Sequence, residues 1–240
     1  MTRETKQVSR KRVIIPSCLA VLFAAAFAAV FLHGGYADKV MAKLGIRRNE
    51  VPVSWETGWD RCLAYMGVDA DIVFFGDSIT SGGDFNAFFP EACICNLGIP
   101  GDTIRGMTDR AGMIATVKPE KVFVLGGINS LCDSSFDTTF GEYRTMLEKI
   151  GEATDAAVYI QGILPVSAKQ EKRLFVKNTT IIRFNEKLAE LAREKGYTYI
   201  DLPGRFLLNG AMNLAYTTEG IHLSGEGYRI WADAIAGYIR

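Results

Sequence analysis

Histidine is nearly absent from this 240-residue chain, which has only His33 and His222. Cysteine is sparse as well: Cys18, Cys62, Cys93, Cys95 and Cys132 make an odd set of five with no metal-ligand spacing. Neither a disulfide framework nor a cysteine-histidine metal cluster is indicated by that count and spacing. Cys93 and Cys95 flank Ile94 in an apolar run, so as strand residues they share a face. That makes them a poor disulfide pair, and they read as small buried hydrophobes. Charge of one sign is also missing, with 27 basic against 27 acidic residues. No basic excess points to nucleic acid as a partner.

The first part of the chain differs from the rest. Arg3, Lys6, Arg10, Lys11 and Arg12 precede an apolar stretch over residues 13–32. Twenty helical residues at about 1.5 Å each span roughly 30 Å, a bilayer core. Pro16 and Ser17 fall in the first turn, where a helix tolerates them best. The segment reads as an uncleaved signal-anchor at the cell membrane, its basic end cytoplasmic and the following domain outside. The divisions are a basic terminus over 1–12, a transmembrane helix over 13–33, a connector over 34–53 and a domain over 54–240. A cleavable signal peptide competes, because Gly35-Tyr36-Ala37 resembles a small-x-small cleavage site, and would leave a secreted domain. Lys39, Lys43, Arg47 and Arg48 follow the segment and weaken the charge bias that sets its orientation. Cys18 lies near the start of the segment rather than at its end, so it reads as an intramembrane residue and not a lipid-attachment site.

The remaining roughly 200 residues suffice for one domain with a sizeable core. Trp55, Trp59, Cys62, Leu63 and Met66 have helical spacing and predict a helix packed on that domain. Apolar strand-like runs then occur over 71–75, 92–97, 121–125, 156–160 and 197–200. Between them Phe136, Phe140, Tyr143, Met146, Leu147 and Ile150 mark one helix, and Ile181, Phe184, Leu188 and Leu191 another. A last helix follows Ser224, with Tyr228, Trp231, Ile235 and Tyr238 on one face. Short apolar strands alternating with helices predict an α/β fold: a three-layer α/β/α sandwich around a five-stranded parallel sheet. Active sites in such sheets lie at the carboxyl ends of the strands.

Four segments fall at that end. The first strand runs into Gly76-Asp77-Ser78-Ile79-Thr80, where a tight turn projects the Ser78 hydroxyl. Alone, Ser78 reads more readily as a helix cap, and Thr80 in the last place departs from the G-x-S-x-G elbow of α/β-hydrolases. The second strand ends in Gly98-Ile99-Pro100-Gly101-Asp102, a turn whose backbone N–H groups approach a ligand closely. The third ends in Gly126-Gly127-Ile128-Asn129-Ser130, where Asn129 offers a side-chain amide. Near the C-terminus stands Glu219-Gly220-Ile221-His222. His222 is the one good general base near neutral pH in the domain, and a carboxylate three residues earlier suits the imidazole N–H of a serine-nucleophile site. Asp201, Glu226 or a backbone carbonyl compete with Glu219 for that position. Any one segment reads as an ordinary loop, but their convergence is specific.

In order and residue type the four resemble the blocks of the SGNH, or GDSL-type, hydrolases. Gly76-Asp77-Ser78 matches the nucleophile block, Gly101 the second block's glycine, Asn129 the third block's asparagine and His222 the last block's histidine. The resemblance covers about residue 71 to the C-terminus. It implies an SGNH-hydrolase/flavodoxin-like sandwich, ester hydrolysis without metal or cofactor, and an oxyanion hole from the Ser78 N–H, the Gly101 N–H and the Asn129 amide. There are two departures: Glu219 stands where the family usually has aspartate, and Ser130 replaces the usual aspartate after the asparagine.

The expectation is a membrane-anchored serine esterase with Ser78 as nucleophile, His222 as general base and Glu219 as orienting acid. Its substrate is a small-molecule or glycan ester, with O-acetyl or other short acyl groups on carbohydrate favoured by an extracytoplasmic location. A lysophospholipase or thioesterase acting on longer chains is one alternative, and a non-catalytic glycan-binding relative another. Phe85, Phe88 and Phe89 suit an acyl pocket but suit core packing better.

Overall fold

A computed structural model of the chain describes residues 53–239. The anchor over 13–33, most of the connector and Cys18 lie outside the described residues. Among those described, no helix is long and apolar enough to cross a membrane.

Helix α1 (Val53–Ala64) leads into strand β1 (Ile72–Gly76), followed by the short helices α2 (Ser78–Ser81) and α3 (Phe85–Phe88). Strand β2 (Ile94–Gly98) precedes α4 (Ile104–Asp109) and α5 (Met113–Val117), and β3 (Lys121–Leu125) precedes α6 (Ile128–Asp133) and α7 (Phe136–Ala153). Then come β4 (Ala157–Gln161), α8 (Ala168–Leu174), α9 (Asn178–Lys195) and β5 (Thr198–Ile200). A two-stranded hairpin, β6 (Leu207–Leu208) and β7 (Ala211–Met212), leads to the closing helix α10 (Gly225–Ile239).

The five main strands form one parallel sheet in the order β2-β1-β3-β4-β5. The side-chain period of two divides its residues between two cores. Val73, Phe75, Leu97, Val122, Val124 and Ile160 face α1, α4, α5, α7 and α9. Phe74, Ile94, Phe123 and Leu125 face α2, α3 and α10. Every residue of β1 is buried, as a strand covered on both faces requires. The three-layer arrangement is the one expected.

Several boundaries differ. Strands β1, β2 and β4 each extend one residue beyond the apolar run, to Gly76, Gly98 and Gln161. The ladder is a backbone property: Gly76 pairs in register with Gly98 and Leu125, although glycine carries no hydrophobic signal. Trp59 and Cys62 pack on the core as expected of α1, whereas Leu63 and Met66 are exposed. Cys95 is buried but Cys93 is exposed, because β2 begins only at Ile94 and the two do not share a strand face. The hairpin and the short 3-10 turns around it follow no apolar periodicity and lie outside the expected elements. Phe85 belongs to the core, stacked on Phe74 with Trp231 edge-on at 5.0 Å. Phe88 and Phe89 are half-buried.

Candidate active site

The nucleophile turn is built by close approach. A Cβ at Gly76 would stand 2.1 Å from both the Leu125 carbonyl oxygen and Thr80 Oγ1. Only glycine lets the end of β1 pass so near the neighbouring strand and its own following helix. Asp77, not Ser78, is the N-cap of α2: its Oδ1 accepts the Ile79 N–H at 3.0 Å. The capping role considered for Ser78 is thus filled by its neighbour, and the Ser78 hydroxyl is left for other work. The Ser78 N–H belongs to the first turn of α2, where backbone donors have no intrahelical acceptor. On the far side of α2, the Tyr228 hydroxyl donates to the Ile79 carbonyl at 2.8 Å and fixes the turn against α10.

The histidine arrives on a bridged loop. Thr217 and Leu223 form an antiparallel bridge, and Thr218 N–H and Thr217 Oγ1 donate to the His222 carbonyl at 3.0 and 2.7 Å. Gln170 Nε2 donates to the Glu219 carbonyl at 2.8 Å, and the Ser167 N–H to that of Gly220 at 2.9 Å. The start of α8 therefore holds the loop from outside. In this setting His222 Nε2 lies 3.0 Å from Ser78 Oγ, and His222 Nδ1 lies 2.6 Å from Glu219 Oε1. A carboxylate beside Nδ1 assigns the proton to that nitrogen and leaves Nε2 to accept the serine O–H. Ser78 is half-buried, and the His222 and Glu219 side chains are 48% and 41% exposed, so the group opens to solvent.

Partial burial pushes the Glu219 carboxyl up, but hydrogen bonds from the Thr218 hydroxyl and from the His222 backbone and ring outweigh it and hold the carboxyl below its ordinary value. The competing partners are engaged elsewhere: Asp201 Oδ1 accepts the Gly204 N–H, and Glu226 pairs with Arg229.

Gly101 has φ +77°, a conformation that L side chains rarely adopt, and is exposed with nothing within 4 Å of a Cβ placed there. Its conformation and openness leave room for a ligand against its backbone. Asn129 is half-buried and donates from Nδ2 to the Asp102 carbonyl at 2.8 Å, which ties the third block to the second. Ser130 is buried, and its Oγ accepts the Ile104 N–H at 2.8 Å. In place of the family's usual aspartate it supports the start of α4, outside the serine-histidine-carboxylate chain.

Sequence reasoning missed Asp77 as the cap, Gln170 and Thr217 as supports of the histidine loop, and a buried ion pair of Asp102 with Arg110 at 2.7 Å. Asp102 beside Gly101 was a signal, since an acid in an otherwise apolar turn needs a partner. Arg110, at the end of a six-residue helix, carried none.

The family model described as the GDSL-like lipase/acylhydrolase family matches residues 74–230. No curated protein matches the chain. Among solved structures the chain is similar to a GDSL-like lipase from Bacteroides thetaiotaomicron, with 21% identity and a TM-score of 0.67 over 77% of this chain and 96% of that one. It is also similar to a lipase/acylhydrolase from Enterococcus faecalis, with 21% identity and a TM-score of 0.55 over 70% and 96%. A third is an acetylxylan esterase from Geobacillus stearothermophilus, with 20% identity and a TM-score of 0.58 over 72% and 95%. At these identities the likeness is one of fold.

Proposed function

The chain belongs to the GDSL-like lipase/acylhydrolase family and is a serine ester hydrolase, and from that premise we propose that Ser78 is its nucleophile, His222 its general base and Glu219 the acid that orients the base. The observation that carries this reading is the unbroken chain from Ser78 Oγ through His222 Nε2 and Nδ1 to Glu219 Oε1, at 3.0 and 2.6 Å. His222 takes the hydroxyl proton as Ser78 Oγ attacks the ester carbonyl. The Ser78 N–H, the Gly101 N–H and the Asn129 amide hold the oxyanion. His222 then protonates the leaving alcohol, and water cleaves the acyl-enzyme by the same steps reversed. Two departures motivate the non-catalytic glycan-binding reading, and both are compatible with catalysis: Glu219 still gives the imidazole a carboxylate partner, and Ser130 supports the start of α4 outside the proton-transfer chain.

The substrate we favour is a short acyl ester of carbohydrate, above all an O-acetyl group. Two considerations support it: the fold likeness to an acetylxylan esterase, and the N-terminal sequence pattern, from which we propose a membrane-anchored domain facing outside the cytoplasm. A second reading, longer acyl chains, is favoured by exposed Leu208 and Leu214, which are 54% and 70% accessible on the segment leading to Glu219 and His222. Hydrolysis of esters graded in acyl length and alcohol type, with Ser78→Ala as control, separates the two. Acetylated sugars should turn over fastest; faster hydrolysis of long-chain esters would select the second reading. Failure of a fluorophosphonate to label Ser78 would remove the nucleophile assignment.

A further inference from the structure

The geometry points to Arg110 as a positioning residue that holds the three oxyanion donors in register, an inference that rests on the assignment of Ser78, Gly101 and Asn129 above. The side chain is buried, at 1% accessibility, and its guanidinium lies 4.2 Å above the Phe75 ring. Water therefore does not compete for its hydrogens, and the protein supplies the acceptors. Nε donates to Asp102 Oδ2 at 2.7 Å, one terminal nitrogen to the Leu97 carbonyl at 2.7 Å and the other to the Gly76 carbonyl at 2.8 Å.

These acceptors are not scattered. Gly76 ends β1 two residues before Ser78, Leu97 lies at the end of β2, and Asp102 follows Gly101 directly. The Asp102 carbonyl in turn accepts Asn129 Nδ2 at 2.8 Å. One planar cation thus ties together the strand ends that carry the first and second donors, and through Asp102 reaches the third. The Gly76 carbonyl also accepts the Ile99 N–H at 3.0 Å, which closes the same knot from the backbone.

Stability alone does not account for such an arrangement, because a buried ion pair adds little net stability over an apolar replacement. Oxyanion stabilisation, by contrast, depends on donors fixed before charge develops. Only a guanidinium spans the three acceptors. Lysine offers its donors from a single point and cannot reach them together.

The test is Arg110→Lys in the full chain. Active sites are counted by fluorophosphonate titration, and kcat and KM are measured on an acetyl ester. The expected result is kcat per titrated site lower by about 10- to 100-fold with KM within about threefold, a part of the loss typical for an oxyanion donor. In an Asn129→Ala background the same substitution should cost at least about threefold less, since one donor it positions is already gone. An unchanged kcat per titrated site with fewer sites would mean that Arg110 serves only the fold, and an equal cost in both backgrounds would also overturn the inference. If Arg110→Lys yields no titratable sites, Asp102→Asn weakens the tie from its other partner: a loss of about tenfold or more in kcat supports the role, and an unchanged kcat refutes it. Should Asn129→Ala alone leave turnover intact, the oxyanion assignment itself falls. Should it lower turnover while Arg110→Lys does not, only the role of Arg110 falls.

Discussion

Asp77 lies fully buried directly before the nucleophile. Its Oδ1 caps α2, while its Oδ2 makes no hydrogen bond among the described residues. Burial pushes the carboxyl from the ordinary 3.8 up to about 7; Asp102 adds to the rise, and the Ile79 N–H, His222 and Arg110 oppose it. Between those values the folded chain holds a proton that the unfolded chain has released. The stability this group contributes is therefore complete below pH 3.8 and is lost as pH rises to about 7. At about 1.4 kcal/mol per tenfold change in proton affinity, the loss amounts to roughly 4 kcal/mol. Asp77→Asn keeps an acceptor for the Ile79 N–H, since asparagine is as good an N-cap as aspartate, and it removes the titration. Urea unfolding of both proteins across about pH 4 to 8 should show the variant gaining on wild type by roughly 4 kcal/mol up to pH 7, then holding level. A difference independent of pH would refute the reasoning, because it would mean that Asp77 ionises in the fold as readily as in the unfolded chain.

Asn129→Ala should lower kcat by about 10² to 10³ while fluorophosphonate still labels Ser78; normal turnover would take Asn129 out of the site. His222→Ala should abolish ester hydrolysis, and Glu219→Gln should reduce it strongly. If the glutamine variant retains most activity, serine and histidine work as a dyad. Because its hydrogen bonds hold the Glu219 carboxyl below the ordinary value, what it contributes to folding is present above that value and fades as pH falls through the folded one. Acid unfolding of Glu219→Gln beside wild type should therefore converge at low pH. Gly76→Ala forces a Cβ to 2.1 Å from the Leu125 carbonyl oxygen and should destabilise the fold by about 3 kcal/mol or more, read by thermal unfolding.

The sheet was legible because covered parallel strands must be apolar where both faces are buried, and residues 72–75 and 122–125 meet that demand, with charged Asp71 and Lys121 only at their starts. Their ends were less so, since Gly76 and Gly98 join the ladder through backbone alone. Capping misled for a similar reason: Asp77 and Ser78 both suit an N-cap, and only the backbone path, extended at Asp77 and helical from Ser78, assigns the role to Asp77. Cys93 was misplaced because one residue of strand length decides which side chains count as strand neighbours.

What the sequence by itself determined is the alternation of apolar strands and amphipathic helices, and with it the end of the sheet where polar residues gather. It also determined the chemistry on offer, since a chain with so few histidines leaves its site little choice of base. What only the tertiary structure decided is contact between residues far apart in the chain. The 3.0 Å from Ser78 to His222 spans 144 positions, and the convergence of Gly76, Leu97 and Asp102 on Arg110 joins two strand ends and a loop. Residue type and spacing encode local conformation; such distances depend on the register and packing of the whole sheet, which no local pattern carries.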